Sequence, residues 1–444
     1  LSFMVRSLYL TNRFFIAVGF SVFLFLLGFT LPTALGLAKV SVLVLLVLLV
    51  VDLLMLFQLK EGLRGSREMS EKLSNGDENA IRVHLRNRYP FAIGVKIIDE
   101  VPFQFQMRHL EFSDQIKPGV SRVTTYHLRP TKRGEYKFGA VNVFVSAIIG
   151  FASRRYRFAQ DQMVPVYPSY LQMRQYELMA ISDRLTELGI KKVRKLGHNR
   201  EFEQIKEYVS GDDIRTLNWK ASARRNTLMV NHYQDEKSQQ VYSIIDKGRT
   251  MKMPFNGLSL LDYAINASLV ISNIALLKDD KAGIFTFSHR MGTMLPASKV
   301  QAQMRNIMEV LYNQKTNFKE SDFDALYVNV RRKISQRSLL LLYTNFETLS
   351  SMERQLPYLQ RLSKSHVLVV IFFENTELHE LLQKPAYNTE DIYIKTIAEK
   401  FAFEKKQIVK ELHRYGIYAV LTAPQNLTAN TVNKYLELKS RGVI

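Results

Sequence analysis

The run SIIDKGRTM, residues 243–251, ends an apolar, strand-like stretch on Asp246 and continues through Lys247, Gly248, Arg249 and Thr250. A carboxylate and a hydroxyl at a strand end are the oxygen donors that a hard divalent cation takes. The same acid can instead cap the loop that follows it. A second group of reactive side chains is Asp212, Asp213 and Arg215, followed by the only tryptophan, Trp219, and by Ser222 and Arg224. Two acids beside an arginine suit a hydrolase with a shifted acid, an anion site, or a structural ion network. The network is the favoured reading, because Trp219 and its apolar neighbours call for a core, which makes Trp219 an expected buried anchor. With no cysteine, thiolate metal sites, disulfides and cysteine nucleophiles are excluded. The nine histidines are scattered, and neither a glycine-rich phosphate loop nor a nucleophile elbow occurs.

The elements that must position these residues follow from periodicity. After Glu236 the sequence alternates buried-strand runs (QQVYSIID, AGIFTFS, SLLLLYTNF, HVLVVIFF, GIYAVLTA) with amphipathic helices, the pattern of a doubly wound, mainly parallel sheet. Such sheets bind ligands at the carboxyl ends of their strands, where Asp246 lies. Residues 70–168 read as short alternating strands separated by Gly, Pro and Asn turns, an antiparallel β-sandwich. Ahead of them, two uncharged or nearly uncharged runs at about 14–31 and 40–59 are each long enough to cross a bilayer as a helix. The expected organisation is therefore a membrane hairpin at 1–60, the sandwich at 70–168, a basic, helix-prone linker and signature block at 169–236, and an α/β domain at 237–444. Lysines and arginines flank the outer ends of the hairpin (Arg6, Arg13, Lys60, Arg64, Arg67, Lys72), with only Lys39 between, which places both termini in the cytoplasm of an inner membrane. Asp52, inside the second run, is expected to be protonated or paired with a neighbouring helix, or to serve in function or oligomer contact. The 444 residues carry a net charge of +20, which attracts anionic surfaces. The Lys191–Arg200 stretch and the Arg224–Arg225 pair favour anionic lipid over nucleic acid, since no aromatics are interleaved to stack bases.

The block Lys206, Tyr208, Gly211, Asp212, Arg215, Leu217, Asn218, Trp219, Ser222, Ala223, Arg224 resembles the signature of the bacterial domain-of-unknown-function 58 family, R-x-Y-x-x-G-D-x-x-R-x-I-D-W-x-x-S-A-R. It departs at Lys206 for arginine and Asn218 for aspartate. The resemblance runs in the family's order through the two-helix anchor, the RGEY turn at Arg133–Tyr136, the VYP segment and the C-terminal region. It implies that the C-terminal domain is von Willebrand factor A-like and that a MoxR-type AAA+ ATPase is the partner, in assembly or maturation of other proteins.

The resemblance also supplies a template for Asp246: the metal-ion-dependent adhesion site, D-x-S-x-S plus a threonine and an aspartate from later loops. Here Gly248 stands where the middle hydroxyl is required, and Thr344-Asn345-Phe346 stands where the family shows S-D-F, so a carboxylate has become an amide. Thr316 or Ser321 is a candidate for the remaining hydroxyl. Asp246, Thr250 and Asn345 are thus expected to form a degenerate Mg²⁺ site, weak or empty, with Lys247 or Arg249 as replacement cations for a partner's acid. The functional expectation is a membrane-anchored interaction protein without catalytic residues or cofactor. A lipid or nucleic-acid module and a hydrolase built on Asp212, Asp213 and Arg215 are the alternatives.

Overall fold

The computed structural model describes residues 7–107, 110–181, 200–210, 212, 214–235 and 238–444. They fall into two units, 1–167 and 168–444.

In the first unit, strand β1 (Leu8–Leu10) precedes helices α1 (Asn12–Gly28) and α2 (Pro32–Phe57). Both helices are apolar on every side, and Ile16, Phe20, Leu26, Leu43 and Leu54 stand out from them, exposed. At 17 and 26 residues they reach roughly 26 and 39 Å at 1.5 Å per residue, against a hydrocarbon core of about 30 Å. Length, composition and bare apolar surface together suit association with a membrane. The stretch expected to link the two runs, PTALGLAK, is instead the first two turns of α2: Pro32 opens the helix, where its missing N–H is no loss, and Ala and Leu carry it on. A hydroxyl pair, Ser41 to Ser21 at 3.1 Å, ties the helices together.

The rest of this unit is β2 (Leu63–Glu68), β3 (Leu73–Ser74), β4 (Asn79–Asn87), β5 (Ile93–Asp99), β6 (Glu111–Ile116), β7 (Ser121–Leu128), β8 (Gly134–Phe138), β9 (Val141–Ser146), β10 (Ala152–Phe158) and β11 (Gln162–Tyr167). They form sheets in the orders β1-β10-β9-β5-β6, β2-β4-β7 and β3-β11-β8. All pairings are antiparallel except β3 with β11, which the sequence pattern does not announce. Period-2 residues such as Ile81, Val83 and Leu85 of β4 and Val141, Val143 and Val145 of β9 face one core. Within it a buried ion pair, Arg67 to Asp99 at 2.7 Å, is completed by the Tyr126 hydroxyl on the other carboxylate oxygen and by Arg67 bonds to the Gly139 and Ala159 carbonyls. Burial still pushes the Asp99 carboxyl above its ordinary range, against the pull of Arg67 and Tyr126.

Asp52 departs from expectation. It is fully buried against the sheet and accepts the Ala152 backbone N–H at 2.7 Å, so its partner is a strand and not a neighbouring helix. Two residues on, the Arg154 guanidinium donates to the carbonyls of Leu56, Leu59 and Lys60 at 2.9, 2.7 and 2.8 Å, and the Tyr89 hydroxyl reaches Leu56 as well. A cation on the carbonyls that a helix leaves unpaired at its carboxyl end offsets both the missing bonds and the dipole.

In the second unit, α3 (Tyr170–Ile181) is followed by a hairpin of β12 (Arg200–Glu207) and β13 (Met229–Asp235), with α4 (Trp219–Arg225) in the connection. Residues 200–207, read from sequence as helix-prone linker, are a strand because β13 pairs with them antiparallel, a tertiary contact that overrides local propensity. The basic stretch 191–199 lies outside the described residues.

The remainder comprises β14 (Gln240–Asp246), β15 (Pro254–Phe255), β16 (Leu258–Ser259), α5 (Leu260–Leu277), β17 (Lys281–Phe287), β18 (Met291–Ser298), α6 (Gln303–Tyr312), α7 (Phe323–Lys333), β19 (Leu339–Tyr343), α8 (Leu349–Ser365), β20 (Val367–Phe373), α9 (Thr376–Gln383), α10 (Thr389–Arg414), β21 (Tyr418–Thr422) and α11 (Leu427–Ser440). Six strands make one sheet in the order β18-β17-β14-β19-β20-β21, parallel throughout except for β18 at the edge. Alternate residues serve opposite faces: Leu339, Leu341 and Tyr343 pack with α5, α6 and α11, while Leu340 and Leu342 pack with α7, α8 and α10. Helices on both faces explain why the strands read as continuous apolar runs. The apolar helix pair, the β-sheets and the later α/β region are as the sequence indicates. Helices α7 and α9 and the antiparallel edge strand are additions to that reading.

Candidate functional site

Asp246 ends β14 at the carboxyl edge of the sheet and is only 2% exposed. Its Oδ1 accepts the Gly248 N–H at 2.8 Å and the Ser321 hydroxyl; Oδ2 accepts the Thr344 hydroxyl at 2.7 Å. Burial raises its carboxyl above the ordinary range, and these three donors work against that rise. A Cβ at Gly248 would run into the Ser321 Oγ, so a larger residue here must push that hydroxyl off Asp246. Ser321 therefore fills the volume a serine at 248 would need, and its hydroxyl takes up the carboxylate instead. Of the two hydroxyls the sequence left open, Ser321 is the one found bonded to Asp246.

Thr250 and Asn345 line the cleft above Asp246, of about 180 Å³, but make no hydrogen bond to it. Asn345 turns its Oδ1 to Lys405 Nζ at 2.9 Å. A hard cation wants a cage of free oxygen ligands, several of them charged. Here the one central carboxylate is occupied by the chain's own donors and the amide oxygen by the Lys405 amine, so this donor set does not fit Mg²⁺. Among the described residues no group of three acids or histidines is placed to hold a metal.

The two replacement cations part company. Lys247 is half-buried, with burial lowering its amine pKa, and its Nζ lies by Gly292 on the β17–β18 side. Arg249 is exposed and borders the cleft, where Arg354 of α8 joins it beside Glu320, Glu347 and Ser351. Arg354 carried no signal in the sequence: it sits on a helix more than a hundred residues downstream, and its place depends on how α8 packs.

The signature block lies apart on the β12–β13 hairpin. Asp212 accepts Lys206 Nζ at 3.0 Å and the Val209 N–H at 3.1 Å, fastening a turn. Asn218 caps α4 through Ala221 N–H at 3.0 Å, and the Ser222 hydroxyl accepts Met229 N–H at 2.8 Å. Tyr208 is half-buried and Arg224 exposed. Gly211 and Asp213, and the side chain of Arg215, lie outside the described residues, so Asp212 is the one member of the supposed acid–arginine cluster whose bonds are seen. Trp219 is 71% exposed, against the expectation of a core anchor. The short α4 is fixed through Asn218 and Ser222, and this leaves the first helical residue, Trp219, facing outward.

The family model described as "Protein of unknown function DUF58" matches residues 204–391. That stretch, less than half of the chain, is what is similar to the family. The "Uncharacterized protein YeaD" of Bacillus subtilis (strain 168) is 27% identical over 204 residues, 44% of this chain. The chain spans about half (50%) of that relative's length. Among solved structures, the conserved hypothetical protein BatB from Bacteroides thetaiotaomicron is matched at 11% identity and a TM-score of 0.27 over 46% of this chain and 100% of that one. Proximal thread matrix protein 1 of the mussel byssus follows at 10% identity and 0.26, over 46% and 47%. A PapD-like domain of human CEP192 gives 11% and 0.18, over 24% and 83%. Scores this low carry no argument about fold or function.

Proposed function

We propose that this chain is a membrane-anchored interaction protein whose von Willebrand A-like α/β region receives an acidic side chain of a partner protein, with no metal ion between them. One observation carries the reading: Arg249 and Arg354 border a cleft whose central acid is already saturated by Gly248, Ser321 and Thr344. Guanidinium groups offer the charge-assisted, two-pronged contact that a carboxylate accepts, so in this reading side chains supply the positive charge that a bound cation would lend. In this reading the apolar pair α1 and α2 is the anchor and the α/β region is cytoplasmic, supported by the lysines and arginines that flank the pair. The partner is a MoxR-type AAA+ ATPase, a proposal that rests on the resemblance of the signature block. Catalysis is not part of the reading: Asp212 is spent on a lysine and a backbone amide.

The test is capture of a purified MoxR-type ATPase by the detergent-solubilised full chain, with EDTA or with Mg²⁺ in the wash. Equal capture in both, lowered tenfold or more by Arg249→Glu with Arg354→Glu, is the expected result. No capture in either wash removes the ATPase as partner. Capture that the double reversal leaves intact removes the cleft as the contact.

A further inference from the structure

Where α7 and α8 both end lies a cleft of about 130 Å³ whose polar side chains are Tyr327, Arg331, Ser335, Arg361, Ser365 and His366, with no acid in its lining. The two arginines converge on one ring. Arg331 Nη1 donates to the Tyr327 hydroxyl at 3.2 Å, and the Arg361 guanidinium stands 5.7 Å from the centre of the same ring. Among the described residues no carboxylate is paired with either. The stretches that hold them, 327–338 and 355–366, contain no acid and add Arg332, Lys333, Arg337 and Lys364. The carboxyl ends of the two helices account for part of this charge: Arg331, Arg332 and Lys333 fall in the last turn of α7 and Lys364 in that of α8, where a cation meets the helix's partial negative charge. Arg361 lies outside the last turn, and Arg331 turns to Tyr327. His366, only 5% exposed, adds a buried polar atom, since its Nδ1 makes no hydrogen bond among the described residues. Buried polar atoms are nearly always paired, so one left bare beside a cleft points to a bonding partner from outside the chain.

We propose that this cleft binds a phosphate group, carried by free phosphate or by the phosphomonoester headgroup of a lipid. A guanidinium gives two parallel N–H bonds to phosphate oxygens, and the Ser335 and Ser365 hydroxyls lie beside them as further donors. A group with close to two negative charges and at least three acceptor oxygens uses such a set better than a carboxylate does. The volume, well below the roughly 300 Å³ at which drug-sized sites begin, suits one compact group and not a whole organic molecule. His366 immediately precedes β20, so the cleft lies at the amino end of the parallel strands, opposite the edge where Asp246 sits. It shares no lining residue with the docking cleft, and loss of the docking reading would leave it as it is.

Isothermal titration of inorganic phosphate into the detergent-solubilised full chain, at constant ionic strength, is the test. Saturable binding at millimolar or lower concentration is expected, weakened tenfold or more by Arg331→Gln and by Arg361→Gln, each the loss of one charge-assisted contact. Arg332→Gln removes a neighbouring charge that does not line the cleft and should change the affinity by less than about threefold. All three side chains are exposed, so the variants should keep the unfolding temperature of the unaltered chain. A parallel titration with short-chain phosphatidate identifies the carrier: tighter binding than phosphate assigns a lipid headgroup, equal or weaker binding a soluble phosphate. No saturable binding of either up to tens of millimolar, binding that either cleft variant leaves unchanged, or an equal loss with Arg332→Gln would each overturn the proposal.

Discussion

Asp246 and Lys405 stand at the same carboxyl edge of one sheet, on either side of the Thr344–Glu347 loop, the acid buried and the lysine half-buried in a cavity wall. The aspartate finds three donors on its own chain, from a following amide and two distant hydroxyls. The lysine donates to the Asn345 amide oxygen and the Phe346 carbonyl and faces the Phe372 ring at 5.6 Å. A buried acid closed by its own chain's donors holds structure together, whereas an amine in the wall of a cavity keeps a side open to what enters it.

The largest effect expected from this contrast is on stability. Asp246→Ala leaves Ser321, Thr344 and the Gly248 N–H without an acceptor, and should cost about 3 kcal/mol in thermal or denaturant unfolding. A loss below about 1 kcal/mol would show that the acid is not the keystone of that edge. Gly248→Ser should not rebuild a metal site. It brings a side chain against Ser321 and should destabilise by about 1–3 kcal/mol, the range for overpacking, with no gain on adding Mg²⁺.

Lys405 should act in the opposite sense and through pH. Between about 8 and the ordinary 10.5, the unfolded chain holds this proton and the folded chain does not. Stability contributed by this residue therefore rises with pH across that window. Unfolding at pH 8 and pH 10 should show a smaller rise in Lys405→Met than in the unaltered chain; an equal rise in both would assign the slope to other groups.

How much of this was legible beforehand differs from residue to residue. The strand runs ending at Asp246 and Tyr343 are mostly apolar, so burial on both faces and a ligand edge follow from pattern alone. That Ser321 would take the place denied to residue 248 was beyond reach, because a loop 75 positions away is placed by packing and not by period. Lys405 reads as one of many lysines on the polar face of an amphipathic helix; only the turn of α10 onto the Asn345 loop makes it unusual. The strand partner of Asp52 was out of reach for the same reason: hydropathy places the acid inside an apolar run, and only packing shows that it meets the Ala152 N–H. Trp219 shows the converse error, a large aromatic assigned to a core that a seven-residue helix does not supply.

The smallest effect belongs to that tryptophan. At 71% exposure, Trp219→Ala should change stability by no more than about 0.5 kcal/mol. A loss of several kcal/mol in the full chain would place the side chain in a core after all.

The central claim is that Asp246 is closed by its own chain and that the cleft above it works without a metal. Thermal unfolding of the detergent-solubilised full chain across a Mg²⁺ titration tests it most directly, since a ligand stabilises by RT ln(1 + [L]/Kd). No saturable shift up to millimolar Mg²⁺ is the predicted result. A saturable rise at micromolar Mg²⁺, lost in Asp246→Ala, would contradict it.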